Sequence, residues 1–219
     1  MKLEIQESRA LKKRNNQRTT ISNELSRAKI VSQLLDEDLS GKKLLDIGCG
    51  LGTCMNLLEK RGAITKGLDI YHKGKKIINF DLNSGKELPF KNKEFDIVIC
   101  TEVIEHTFYP HFVLKEIKRI LKDGVTIISL PNEFNLRNRL LIFMGKHFRD
   151  EFVFDSYGHH YFPTENEIRN FIEPEFKIID ESATFLRGKK SRILTIVFKW
   201  IRPNLVKENF IMKCQKIYT

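Results

Sequence analysis

Apolar and polar positions along the chain follow two rhythms. Lys43 to Ile47 is a short, nearly continuous apolar run that stops at glycine, and runs of that length bounded by turn residues predict strands covered on both faces. Comparable runs at Ala63 to Leu68, Ile77 to Asp81, Phe95 to Cys100 and Gly124 to Leu130 predict further strands, with Phe176 to Ile179 and Asn209 to Ile217 as the last two. Between them, apolar residues recur at helical spacing. Leu25, Ala28, Val31, Leu34 and Leu35 predict a helix over Ser22 to Leu39, stopped by Gly41. Cys54 to Lys60 and Pro110 to Leu121 predict two more, and Thr164-Glu165-Asn166-Glu167 is a capping box opening a helix that carries Ile168, Phe171 and Ile172. Strands alternating with helices predict an α/β fold with a mostly parallel sheet.

Three stretches break the rhythm. Residues 1–20 are polar and basic and read as an arm, so that 1–39 forms an arm plus helix ahead of a domain over 40–217. Asn132 to Tyr161 is irregular and aromatic-rich, as expected of a lid or substrate-facing insertion (132–161). Residues 191–202 predict an apolar helix. The composition, 41% hydrophobic and 30% charged over 219 residues with 12 Gly and 6 Pro, fits one compact domain and excludes collagenous, repeat and disordered classes. A chain of this size buries about 70% of its extended surface, so its core needs no disulfide or structural metal. Its four cysteines lack paired metal-ligand spacing, and no signal-like apolar stretch follows Met1. A cytoplasmic setting is therefore expected. No apolar run approaches the ~20 residues of a membrane span.

The net charge of +10 sits at the two ends: residues 1–30 hold 8 basic and 3 acidic side chains, and residues 187–219 hold 9 and 1. Such ends would attract an anionic partner, whether nucleic acid, anionic lipid or a phosphorylated sugar. Solvated lysine on a lysine-rich surface accounts for them equally well.

Leu44-Leu45-Asp46-Ile47-Gly48-Cys49-Gly50-Leu51-Gly52-Thr53 is the most specific string. A strand ends in a glycine turn that admits close ligand approach, and a helix then begins with its amide hydrogens toward the site. A dinucleotide fingerprint needs a sixth-place glycine, where Thr53 stands, and Asp46 would repel a pyrophosphate. Asp46 can instead organise the loop around a cationic amino-acid tail. The string resembles motif I of class I S-adenosylmethionine-dependent methyltransferases. That resemblance implies a Rossmann-like, seven-stranded, mostly parallel sheet with helices on both faces and an antiparallel last strand. It implies that Asp69 accepts both ribose hydroxyls, with Ile70 beside it, and that Asp81 and Leu82 contact the adenine. A cofactor site of Asp46, Gly48, Cys49, Gly50, Gly52 and Thr101 around the methionyl end completes the implied set.

In Thr101-Glu102-Val103-Ile104-Glu105-His106, a single helical turn would place Glu102, Glu105 and His106 on one face. Two carboxylates and an imidazole could bind a hard divalent cation such as Mg²⁺, or act directly as acid, base or structural groups. The string is similar to those of ubiquinone-biosynthesis O-methyltransferases and small-RNA 3′-end 2′-O-methyltransferases. Both groups also use a later histidine, matched here by His159 in Gly158-His159-His160-Tyr161. The resemblance thus implies Glu105, His106 and His159 as catalytic residues, with Glu102 joining them if a metal is held. Pro131-Asn132-Glu133-Phe134-Asn135 further resembles a segment of the RNA group.

The leading expectation is methyl transfer from S-adenosylmethionine to a hydroxyl of a small-molecule, sugar-containing or lipid-linked acceptor. RNA 2′-O-methylation and a non-catalytic binding subunit of the same fold are the alternatives. The apolar stretch from Ile193 to Ile201, bracketed by basic residues, is expected to pack on the sheet or a second subunit, or to rest on an anionic membrane surface.

Overall fold

The computed structural model describes residues 22–146, 158–186 and 189–217. The 1–20 arm and residues 147–157 of the insertion lie outside the described residues. Helix α1 (residues 22–34) leads into β1 (Lys43–Ile47), α2 (Thr53–Glu59), β2 (Ile64–Asp69) and β3 (Ile77–Asn79). Then come β4 (Phe95–Thr101), α3 (Pro110–Ile120), β5 (Leu121–Pro131), α4 (Leu136–Phe143), α5 (Glu165–Ile172), β6 (Phe176–Phe185), α6 (Lys189–Ile201) and β7 (Lys207–Lys216). The seven strands form one sheet in the order β3-β2-β1-β4-β5-β7-β6. β1 to β5 pair in parallel, and β7 runs antiparallel between β5 and β6.

Period-two side-chain alternation sends neighbouring residues to opposite faces, and here both faces are covered. Leu44, Ile97, Ile99, Ile127 and Ile211 join Val31 and Leu34 of α1, Leu35 just after it and Leu58 of α2. Leu45, Val98, Cys100, Ile128 and Met212 join Val113, Leu114 and Ile117 of α3 and Ile168 and Ile172 of α5. Each fully buried aliphatic side chain contributes about 1.5–3 kcal/mol. α1 is thus built into the body of the domain.

Helix α1 stops at residue 34 and not at Leu39, and three further places differ from the sequence pattern. β5 starts at Leu121, where α3 ends, and passes so close to β4 that a Cβ at Gly124 would lie 1.8 Å from the Asp96 carbonyl oxygen. β6 continues to Phe185, because a register shift between Ile178 and Asp180 interrupts the alternation without ending the ladder. The stretch after Pro131, expected to be irregular, contains α4. Its apolar residues are spread around the helix, and its start is fixed by Asn135, whose side chain accepts from Asn138 N.

After β1 the chain turns toward β2 and β3, and from β4 it turns the other way toward β5. The crevice therefore opens at the carboxyl ends of β1 and β4, where open α/β sheets take their ligands.

Candidate active site

The glycine loop closes β1 onto β2 before it can face a ligand. Gly48 N and Cys49 N both donate to the Leu68 carbonyl, at 2.7 and 3.2 Å. These two amides are therefore spent on joining the turn to β2. Gly48, at φ 69°, is also pressed against the neighbouring strand exit: a Cβ there would lie 2.2 Å from Val103 Cγ2. Gly50 N donates to Asp69 Oδ2 at 2.9 Å, and Gly52 adopts the left-handed conformation that starts α2.

Asp46, Gly48, Cys49, Gly50 and Thr101 line one small cavity, together with Glu24 and Arg27 of α1. Glu24 is held there by Thr53, whose hydroxyl donates to it at 3.1 Å. Burial, reinforced by Asp69 and opposed by Arg27, raises the Asp46 carboxyl to about 7. Burial, with Asp46 and Asp69 nearby, pushes the Cys49 thiol up to about 12, which keeps it a neutral packing group. Arg27 and Glu24 were not singled out by the sequence reading. They lie on a helix whose apolar period marks only its buried face, and what brings them here is the packing of α1 on the sheet.

A second cavity of about 250 Å³ lies beside the first, lined by Asp69, Ile70, Asp81 and Leu82 with Phe80, Glu102 and His106. Burial would raise the Asp69 carboxyl, but hydrogen bonds from His72, Tyr71 and Gly50 outweigh it and hold the group below its ordinary value. Asp81 accepts from Asn83 N at 2.8 Å, which starts a short 3₁₀ turn at Leu82.

The turn after β4 is not the single helical turn that the spacing predicts. Glu102 sits at φ 56°, a conformation that costs a non-glycine residue about 1–3 kcal/mol, and a 3₁₀ turn then spans Ile104–His106. The Glu102 carboxylate is directed to β5 and β7: Ser129 Oγ donates to it at 2.8 Å, and Asn209 Nδ2 donates to its other oxygen. Ligand atoms of Glu105, His106 and His159, by contrast, all lie within 4.8 Å of one another. Glu105 is fully buried, and its Oε1 lies 3.9 Å from His159 Nε2. His106 Nδ1 is 3.3 Å from the Gly158 carbonyl, and the two rings meet edge to face at 4.5 Å. A carbonyl only accepts, so His106 carries its proton on Nδ1. Of the four residues named as metal ligands, the structure gathers three and turns Glu102 elsewhere.

On the far side of this cluster a third cavity, about 460 Å³, is lined by Glu105 and by Phe108, Tyr109, Tyr161 and Phe171. Among the described residues, no lysine or arginine lines it or the 250 Å³ cavity.

A family model described as a methyltransferase domain matches residues 18–173, more than half of the chain. The chain belongs to the class I S-adenosylmethionine-dependent methyltransferases. Ubiquinone biosynthesis O-methyltransferase of Thiobacillus denitrificans is 31% identical over 119 residues, 49% of this chain and 51% of that one. The chain spans about half the length of the curated relatives it matches. An S-adenosylmethionine-dependent methyltransferase from Archaeoglobus fulgidus shares the fold, with a TM-score of 0.60 at 16% identity over 88% of this chain and 94% of that one. So does the 1,6-didemethyltoxoflavin-N1-methyltransferase of Burkholderia thailandensis, solved with S-adenosylhomocysteine, with a TM-score of 0.57 at 14% identity over 87% and 76% of the two chains. Among methyltransferases the Rossmann-like sheet with its reversed seventh strand is therefore as expected.

Proposed function

We propose that the chain transfers a methyl group from S-adenosylmethionine to a hydroxyl of an uncharged small, sugar-containing or lipid-linked acceptor. The observation carrying this reading is the cluster of buried Glu105 with half-buried His106 and His159 between the cavity lined by Asp69 and Asp81 and the larger aromatic one. The cofactor would supply a methyl on a sulfonium centre, already activated for transfer. Asp46, with Glu24 near it, suits the ammonium of the methionyl end, and Arg27 suits its carboxylate. Asp69 offers carboxylate oxygens to the ribose hydroxyls, and Asp81 with Leu82 the adenine contacts. Glu105 lines the aromatic cavity and would take the proton from an acceptor hydroxyl there, with His159 3.9 Å from it as its partner, and a fixed pose for in-line attack supplies much of the rate.

The same three residues fit a divalent cation. With Glu102 engaged by Ser129 and Asn209, the set is one carboxylate and two imidazoles, a donor set better suited to Zn²⁺, Fe²⁺ or Mn²⁺ than to Mg²⁺. A bound ion would polarise the acceptor hydroxyl. Cavities whose described residues include no lysine or arginine favour a neutral acceptor over an RNA backbone.

A membrane surface is the proposed route for a lipid-linked acceptor. Trp200 and Ile201 of α6 and Phe143 of α4 are exposed, and Lys199, Arg202 and Lys146 flank them. The Asn132 side chain donates to the carbonyls of Asn204 and Lys207, joining the start of the α4 segment to the exit from α6.

The test is methyl transfer to a panel of phenols, sugar alcohols and a short RNA. Glu105→Ala should bind S-adenosylhomocysteine as the parent does while turnover falls at least about 100-fold. Activity indifferent to chelators would remove the metal, and transfer to the RNA alone would overturn the neutral-acceptor reading.

A further inference from the structure

His159 lies between two buried carboxylates at unequal distances. Its Nδ1 is 3.1 Å from Glu133 Oε1, and its Nε2 is 3.9 Å from Glu105 Oε1. A neutral imidazole has one N–H, so only one of the two acids can face it. We infer that Glu133 is a positioning residue, which keeps the His159 proton on Nδ1 and leaves Nε2 bare toward Glu105. The inference rests on the proposed active-site role of His159 and adds a residue that the methyltransferase reading does not use.

Distance decides the competition. The ring is not aimed squarely along the 3.1 Å contact, yet a lone pair held that near a carboxylate oxygen is repelled, whereas an N–H is attracted. The pull from Glu105 is weaker across its longer gap. Were the proton on Nε2, it would face Glu105 across a gap of 3.9 Å, longer than a hydrogen bond. With the proton on Nδ1, both Nε2 and Glu105 face the shared space as acceptors, ready for a hydroxyl proton or a cation.

Glu133 is fixed by the start of α4. Asn138 Nδ2 donates to its backbone carbonyl at 3.0 Å and to its Oε2 at 3.3 Å, and Asn135 bonds Asn132 O and Asn138 N. Glu133, Asn135 and Asn138 are all nearly inaccessible to solvent. Since Asn138 donates to Oε2, a glutamine at 133 would turn its carbonyl to that side and its NH₂ toward His159 Nδ1. Glu133→Gln should therefore reverse the tautomer while keeping shape and volume.

The measurement is long-range ¹H–¹⁵N correlation on full-chain protein labelled at histidine nitrogen, about two pH units above the ordinary imidazole value. The His159 signals are assigned by their loss in His159→Gln. The parent should show Nδ1–H, and Glu133→Gln should show Nε2–H, with turnover about 10- to 100-fold lower and S-adenosylhomocysteine affinity unchanged. Glu133→Ala, a second variant, should shift the proton the same way. Nε2–H in the parent, or Nδ1–H persisting in both variants, would overturn the assignment. The spectra do not depend on an acceptor, so failure to find methyl transfer and failure of this inference are separable.

Discussion

Replacing Asp46 with Asn should stabilise the fold and weaken cofactor binding together. Asp46 is 3% exposed, and burial, with Asp69 adding to it and Arg27 opposing, moves its carboxyl from the ordinary 3.8 to about 7. At about 1.4 kcal/mol per tenfold change in proton affinity, the ionised group costs the folded state about 4 kcal/mol. The folded protein holds this proton more tightly than the unfolded chain. Below about pH 4 both states are protonated and the site contributes nothing. From about 4 to about 7 the unfolded chain ionises first and stability falls, and above about 7 the whole cost applies. A chain of this size shifts its melting point by about 2–4 °C per kcal/mol. Asp46→Asn should thus melt about 8–16 °C above the parent at alkaline pH and level with it at pH 4. An ammonium needs the ionised carboxylate, so parent affinity for S-adenosylhomocysteine should fall about tenfold per pH unit below about 7. The variant's affinity should be lower and flat. Scanning fluorimetry across pH with titration calorimetry reads both, and melting curves that coincide at every pH would refute the argument.

Gly48→Ala combines a left-handed backbone with the 2.2 Å approach to Val103. It should lose about 1–3 kcal/mol and most cofactor affinity, and an unchanged denaturant midpoint would count against that packing. Arg27→Ala should weaken S-adenosylhomocysteine binding about 10- to 100-fold by removing a charged donor, whereas equal affinity by calorimetry would dismiss Arg27 from the site. Trp200 is the sole tryptophan, so its emission reports directly on α6. Anionic vesicles should shift it to the blue at low salt, and emission indifferent to lipid would refute the membrane surface.

Local signals carried much of this molecule and tertiary ones the rest. The strand at Lys43–Ile47, its glycine turn and the Thr164 capping box are written in contiguous residues, and the structure repeats them closely. The far end of β6 was hidden because its register shift and the exposed Asp180 and Glu181 break the alternation. Glu105, His106 and His159 were legible as chemistry, but not the fate of Glu102: its spacing suits one helical turn, whereas Ser129 and Asn209 hold it in a left-handed conformation. Arg27 and Glu24 carried no motif, and Glu133 stood in a quoted string that gave it no role. Each acquires its setting from a residue distant in sequence.

The placement of β7 bears on how the protein is made. This strand follows all the others along the chain yet lies between β5 and β6, and its Asn209 holds Glu102 in place. A growing polypeptide that has emerged only as far as β6 has an open edge on β5, no ladder for β6 and a loose Glu102. Ribosome-bound intermediates should therefore hold the glycine turn early and gain an ordered acceptor side only when β7 slots in, with aggregation at that unpaired edge as the hazard of the interval.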